Sequence, residues 1–378
     1  MPVKKHFNYF LFFLVVLLVG FSMLFLACLT APVSLQRFNN TTYYLYHQFI
    51  FGILPAIVLG LLAYKIPLSF WKKFAPLLVF LNLIAVFLVF LPGMGAKAGG
   101  ATRWLSFGGF GVQPSEFLKI TAILYLSAWI ASKLSEGGSS DWKSSAKKGY
   151  YNLIYIFAPF LIFLGLISVA LYFQRDASTL GIIAITLLVL YFSAKTPIWH
   201  TLFVIVAGLG SLLAMVKFEP YRLDRWLIFL HPNVDPLGKG FQLRQSLISL
   251  GSGGVFGKGL GMSVEKFPGF LPQAMSDSIF AIIGEELGII GCAALVVMFI
   301  LFLWLGIKIS KNSNDKFSKM VAIGIVTWIT LQAFINMASV AGIFPLAGIP
   351  LPFFSYGGSH LAVEIFGVGF LLNISKNT

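Results

Sequence analysis

The chain has 378 residues, 58% of them hydrophobic and only 11% charged, and a formal net charge of +14. With a mean hydropathy of +0.88, this composition excludes a soluble globular domain and describes an integral membrane protein. The positive charge does not point to nucleic acid: no DNA- or RNA-binding motif is present, and most lysines fall where membrane topology would put them.

Apolar runs of about twenty residues, enough to span a bilayer as helices, recur along the whole chain. Ten are expected, near 8–30, 46–64, 74–91, 116–132, 151–173, 178–194, 198–216, 278–307, 320–343 and 357–374. The first comes after Lys4 and Lys5 but is too long for a signal-peptide core, so it is read as helix one. The fold class is an all-α polytopic membrane protein, a single integral membrane domain over 1–378.

Orientation is set by the basic residues. With the N-terminus inside, fifteen lysines lie in cytoplasmic segments, against Arg37, Lys97, Arg103 and Arg175 in the short external loops. Both termini are therefore expected to be cytoplasmic. Cys28 and Cys292 sit in separate apolar runs with no disulfide framework, and the five histidines show no metal-ligand spacing.

Three linkers stand out. External 92–115 is rich in glycine, and cytoplasmic 133–150 reads as a flexible, solvated connector. The third, external 218–276 between helices 7 and 8, has turn signals at Glu219-Pro220, His231-Pro232-Asn233 and Asp235-Pro236. Within it, Phe241–Leu250 can form a short amphipathic helix at the membrane surface.

The polar chemistry concentrates in and beside that long loop. Asp277, at the start of the next helix, could be a general base on a hydroxyl or a helix N-cap. Glu285 and Glu286, two to three turns into the same helix, need an interior partner such as a lysine, or a functional role. Gln113-Pro114-Ser115-Glu116 reads as a helix start, with Lys119 on the face of Glu116; the two could pair, or Lys119 and Arg103 could hold an anionic headgroup. Trp104 is either an interfacial anchor or a ligand contact. The glycines at 251–261 around Lys258 fit no nucleotide-binding fingerprint, although their amides and the lysine could hold a diphosphate. Gln174-Arg175-Asp176 marks a polar turn at the outer mouth of helix five.

Together these segments resemble the SEDS family (shape, elongation, division and sporulation), which includes RodA and FtsW. The resemblance runs from Met1 to about Ser375. It is carried by Ala101-Thr102-Arg103-Trp104-Leu105, Gln113-Pro114-Ser115-Glu116-Phe117-Leu118-Lys119, Asp235-Pro236-Leu237-Gly238, Gln242, Gln245-Ser246, and the glycines of 251–261. Further on come Asp277 with 279–288, Asn336-Met337, and 350–359 containing Ser355. The Gly-rich stretch before Met262–Lys266 and the Gly284-Glu285-Glu286 run look more like FtsW than RodA.

The resemblance implies about ten transmembrane helices and polymerisation of lipid II, an undecaprenyl-diphosphate-linked disaccharide-peptide, into β-1,4-linked glycan outside the cytoplasmic membrane. It also implies work beside a class B penicillin-binding protein that supplies the transpeptidase. Asp277 then corresponds to the essential acidic residue of the large external loop. Arg103, Lys119 and Lys258 become candidate diphosphate ligands, and a divalent cation (Mg or Mn) could share that role. Trp104, Glu116, Gln242, Gln245, Ser246, Lys266, Glu285 and Ser355 complete the expected substrate-binding set. The chain departs from the family pattern at 174–179, where a proline and a glycine are missing, at His231, and at Gln273, Met275 and Ser278. Two rival functions are a lipid II flippase and a non-enzymatic scaffold for the penicillin-binding partner.

Overall fold

The computed structural model describes residues 7–98, 101–107, 110–136, 153–194, 196, 199–200, 202–208, 210, 220–231 and 234–376. Residues 137–150 of the connector, half of the expected span 198–216 and the turn residues 232–233 lie outside them.

In chain order the helices are α1 (Tyr9–Phe38), α2 (Tyr43–Lys65), α3 (Leu68–Leu88), α4 (Pro114–Glu136), α5 (Leu153–Phe173), α6 (Ala177–Ser193), α7 (Pro220–Leu230), α8 (Phe241–Ser252), α9 (Ile279–Asn312), α10 (Lys316–Val340) and α11 (Gly358–Lys376). Among the described residues seven of them, α1, α2, α3, α5, α9, α10 and α11, are long and apolar enough to cross a membrane. The expected fourth and sixth spans are helical too. α4 carries the charges Glu116 and Lys119, which lower its hydropathy, and α6 is only 17 residues long.

α10 and α11 form the centre of the bundle. Most of α10 is buried, against α9, α4 and α6, and α11 is buried almost throughout, along α2. α11 therefore carries polar groups that lipid would not tolerate. Its Asn373 amide, for example, donates to the carbonyls of Ala63 (2.7 Å) and Ile66 (2.8 Å), satisfying the open end of α2.

Two features depart from the sequence expectation. First, the glycine-rich linker 92–115 is not wholly irregular. Gly95–Ala98 (β1), Ala101–Phe107 (β2) and Phe110–Val112 (β3) pair as an antiparallel sheet, with Leu105 opposite both Gly95 and Val112. Alternation of Thr102, Trp104 and Ser106 with Arg103 and Leu105 suits a strand with one buried face, and Leu105 is buried.

Second, α9 is interrupted at Gly288 (φ 65°, ψ −164°), so Glu285 and Glu286 belong to a short first segment ahead of the long apolar stretch. The break frees two carbonyls, which accept from the 251–261 loop: Lys258 N–H to Glu285 (2.9 Å) and Gly259 N–H to Glu286 (3.0 Å). The loop carbonyls return the exchange, Gly254 to Ile289 N–H (3.0 Å) and Val255 to Ile290 N–H (3.3 Å). Approach is so close that a Cβ on Gly288 would stand 2.4 Å from the Val255 carbonyl oxygen. Most of the glycine pattern thus builds a backbone clamp, and the amides of residues 258 and 259 are committed to it rather than open to a diphosphate.

Candidate active site

Asp277 sits between two turns and the start of α9. The N–H groups of Ser276 and Ser278 both donate to the carbonyl of Gln273 (3.0 and 3.1 Å). The N-cap is Ser278, whose side chain makes no capping bond. The capping reading of Asp277 is therefore corrected: the residue precedes the cap, and its carboxyl faces a different set of groups.

Its backbone is pinned from two directions. From α10, the Asn336 amide donates to the carbonyls of Asp277 (2.8 Å) and Ile349 (2.7 Å). From the segment between α10 and α11, the Ser355 hydroxyl donates to the Ser276 carbonyl, and the Tyr356 N–H donates to Met275 (2.8 Å). Ser355, expected as a substrate contact, is thus a fully buried brace behind Asp277.

The carboxyl is half-buried and meets positive charge. Arg225, from α7, donates through Nη1 to the carbonyls of Leu346 (2.9 Å) and Ala347 (3.3 Å). A Cβ placed on Gly348 (φ +62°) would stand 3.3 Å from Arg225 Nη2 and 3.6 Å from Asp277 Oδ2, so the two groups lie within about 7 Å of each other. Burial pushes the Asp277 carboxyl above the usual range; Arg225, His360 and Arg103 pull it down, and Asp176 pushes it up.

Arg103 enters from β2 and is held at the mouth of α6. Its Nε donates to the Gln174 carbonyl (3.1 Å), Nη2 donates to the Arg175 carbonyl, and Nη1 stands 4.0 Å from Asp176 Oδ1. Asp176 caps α6 through the Thr179 N–H (3.3 Å) and accepts from Ser115 (3.3 Å) and Gln113 (3.5 Å). The motif that lacks its usual proline and glycine therefore still closes, with Arg175 taking φ 55°. Trp104, also on β2, is half-buried, with its ring 3.2 Å from where a Cβ on Gly111 would stand.

The other candidates lie in two separate networks. Lys119 is 2% exposed; its Nζ bonds Glu116 (2.7 Å) and Gln332 (2.9 Å) and lies 5.3 Å from the centroid of Trp328. This closed cluster favours the structural pair over a diphosphate ligand, since an anion would have to break it. Lys258 pairs with Glu285 (2.7 Å), which also accepts from Ser263, Ser249 (3.3 Å) and the Val264 N–H (3.3 Å). Glu286 accepts from the Ser263 N–H (3.3 Å), and Lys266 donates to the Gly261 carbonyl. Beside them Glu265 is nearly buried, and burial and Glu285 hold its carboxyl above the ordinary value against the pull of Lys258.

On α8, Gln242 donates to the Ser278 hydroxyl (3.0 Å), linking that helix to the residue after Asp277. Ser246 bonds back to the Gln242 carbonyl (2.9 Å), and Gln245 is half-buried. Among the described residues no three His, Cys, Asp or Glu side chains gather as a metal cluster.

Sequence reasoning missed Arg225, His360 and Gly348. Arg225 lies in a segment read only for its turns. His360 is passed over because it has no metal-ligand spacing; it lies buried at the start of α11, 3.6 Å from Glu364. A cue does exist for Arg225: Arg222 and Arg225 are three apart in a stretch whose one other charge is Asp224.

The architecture is that of a polytopic membrane protein in which Asp277, half-buried and outside the helices, lies near Arg225. Comparison with known proteins places it further. Residues 9–378 match the family model described as "Cell cycle protein" that takes in FtsW, RodA and SpoVE. The chain is 36% identical over 363 residues to "Probable peptidoglycan glycosyltransferase FtsW" of Geobacter metallireducens, covering 95% of this chain and 92% of that protein. It is 34% identical over 364 residues to "Stage V sporulation protein E" of Bacillus subtilis, covering 96% and 94%. Its fold matches a chain from a structure titled "Structural coordination of polymerization and crosslinking by a peptidoglycan synthase complex" (TM-score 0.76, 21% identity, 98% of both chains). It also matches the rod shape determining protein RodA of Thermus thermophilus (TM-score 0.69, 21% identity, 98% and 97%). The chain belongs to the FtsW/RodA/SpoVE family and is a multi-pass protein of the bacterial cytoplasmic membrane.

Proposed function

We propose that this protein is a peptidoglycan glycosyltransferase that polymerises lipid II, with Asp277 as the general base on the outer side of the membrane. The observation that carries the reading is the Asp277 carboxyl, half-buried with Arg225, Arg103 and His360 around it in a chain that is only 11% charged. A base must hold its charge until it takes a proton, and works best with a pKa near the operating pH. Burial raises this carboxyl while the arginines keep its ionised form accessible.

One displacement accounts for the chemistry. The 4-hydroxyl of the acceptor sugar attacks the anomeric carbon of the donor glycan; the carbon–oxygen bond to the diphosphate breaks and the electron pair leaves with it. Asp277 takes the hydroxyl proton, and Arg225 and Arg103 supply positive charge for the departing diphosphate.

The transport reading needs carboxylates along a path. Glu285 is instead tied to Lys258, Ser249 and Ser263, and Glu286 to the Ser263 amide, which favours polymerisation. The relative titled as a synthase complex supports a partner that crosslinks, and a class B penicillin-binding protein is the partner we infer.

Asp277→Asn keeps the shape and removes the proton acceptor. With matched amounts of folded protein and lipid II, polymer should fall about a hundredfold or more. Near-normal polymer would remove Asp277 from the chemistry.

A further inference from the structure

His360, in the first turn of α11, is 5% exposed, and Glu364, one turn further along the same helix, is fully buried. The spacing i, i+4 puts both on one face. Glu364 Oε1 stands 3.6 Å from His360 Nδ1. Among the described residues neither ring nitrogen makes a hydrogen bond, and neither does Glu364 Oε1. A neutral imidazole would leave its donor and acceptor unmet in the interior, whereas an imidazolium facing a carboxylate gains their mutual attraction.

Both members grip the turn that holds Asp277. Glu364 Oε2 accepts from the Phe353 N–H (2.7 Å), and Phe353 takes a left-handed conformation (φ 65°) that bulky residues rarely adopt. A Cβ on Gly357 would stand 2.6 Å from His360 Nε2, so the ring closes against a backbone position where only glycine leaves room. Between these two points lie Ser355 and Tyr356, whose hydroxyl and N–H hold the carbonyls of Ser276 and Met275. The pair also has a direction. The imidazole is at the end of α11 where this turn lies, and Glu364 is about 6 Å further along the helix.

We propose that His360 and Glu364 are positioning residues for Asp277: the imidazolium is the positive charge on its inner side, and the Phe353–Gly357 turn is the mechanical link. The inference deepens the general-base reading above and rests on it. Arg225 and Arg103 come from α7 and β2, and a departing diphosphate would draw on both. The buried pair has no access to substrate, so its effect on Asp277 stays constant through the reaction. Besides Glu364, the charges that bear on the imidazole are Asp277 and Glu116 of α4, the latter bonded to Lys119. α2 adds His47, bonded to the Tyr356 hydroxyl (2.7 Å), and α10 brings the neutral Gln332 and Asn336 to residues 349–350. On Asp277 itself, Arg225, Arg103 and Asp176 act beside His360.

The protonation of Asp277 can be read without turnover. In infrared pH titrations of the full chain in nanodiscs, the carboxyl band that disappears in Asp277→Asn reports it. His360→Gln, Glu364→Gln and the double variant should each raise the midpoint of that band by about half a pH unit or more, roughly a threefold change in the protonation equilibrium. Glu364→Gln removes the charge and leaves an acceptor for the Phe353 N–H. The double variant leaves neither member as an unpaired buried charge, so it should fold even where His360→Gln does not. A pair with a structural role alone predicts the opposite sign, because a loosened turn admits water to Asp277 and lowers the midpoint. A midpoint unmoved or lowered in any of the three that folds would overturn the proposal. Failure of the double variant to fold would do the same, by making the pair a support of the fold. Lipid II is absent from the titration, so the two readings fail separately. Raised midpoints in a protein whose wild type makes no polymer refute only the general-base reading, and unmoved midpoints in an active polymerase refute only this one.

Discussion

Arg225→Gln tests the electrostatics of the site most directly. The arginine lies within about 7 Å of the Asp277 carboxylate. Two unit charges at that distance attract by about 2.4 kcal/mol at an effective dielectric of about 20. Both groups are half-buried, and screening at such a position removes roughly half of it. Losing the arginine should therefore disfavour the ionised carboxylate by about 1 kcal/mol, roughly a fivefold change in its protonation equilibrium. The sign is fixed: Arg225 lowers the Asp277 pKa, so its removal raises it and moves the acid limb of the rate profile to higher pH. Glutamine keeps a donor for the Leu346 or Ala347 carbonyl. Polymerisation of lipid II from about pH 5 to 9 should show a deficit that is largest on the acid side, and Arg225→Lys should restore the limb. A uniform loss at every pH would mean that Arg225 serves the diphosphate alone, and an unchanged profile would show that it does not act on Asp277.

The same geometry sets three further outcomes. Because burial raises the folded-state pKa of Asp277, ionising it costs stability as pH climbs past the unfolded value, so Asp277→Asn should melt higher than wild type at pH 7–8 and show no gain near pH 4. Lys258→Ala leaves the buried Glu285 without its ion-pair partner and should cost about 1–3 kcal/mol by thermal or denaturant unfolding, whereas Lys258→Met with Glu285→Gln should recover most of the loss. For topology, a cysteine at Met262, 66% exposed, should react with a membrane-impermeant thiol reagent from outside, and one at Lys311 only after permeabilisation, once Cys28 and Cys292 are replaced; labelling of both from one side would refute the orientation.

Much of the bundle is legible in the sequence because lipid imposes one rule: backbone groups must be satisfied within each span, so long apolar runs are helices. The same rule misleads where a run is interrupted. Residues 278–307 read as one continuous span: Glu285 and Glu286 lower the hydropathy of Ile279–Leu287, but nothing in the pattern marks Gly288 as a break. That glycine is one of several there, and only the carbonyls offered to Lys258 and Gly259 show which one breaks the helix. The break changes the chemistry of Glu285 and Glu286, from carboxylates deep in a helix to partners of a loop. In the other direction, the glycines of 251–261 suggest anion binding because close backbone amides can serve either an anion or another strand of backbone. Sequence can name both uses without choosing.

Asp277 shows where the limit lies for a candidate catalytic group. From position alone a carboxylate before a helix is a cap, and the resemblance to SEDS proteins points to a base. What separates the two is one residue of register: Ser278 takes the cap position, which leaves the Asp277 carboxyl with Arg225 and Arg103. Arg225 arrives from a helix some fifty residues upstream, and Gly348 leaves the space the two groups share. Such a pairing depends on how α7, the start of α9 and the segment before α11 pack together, and no periodicity within any one of them encodes it. The cost of keeping a carboxylate half-buried falls on the fold, and the bonds from Asn336, Ser355 and Tyr356 to residues 275–277 are the structure that holds it there. A carboxylate braced on its backbone side by three neutral donors, with its charged end left to the arginines, is held in place whichever charge state it takes.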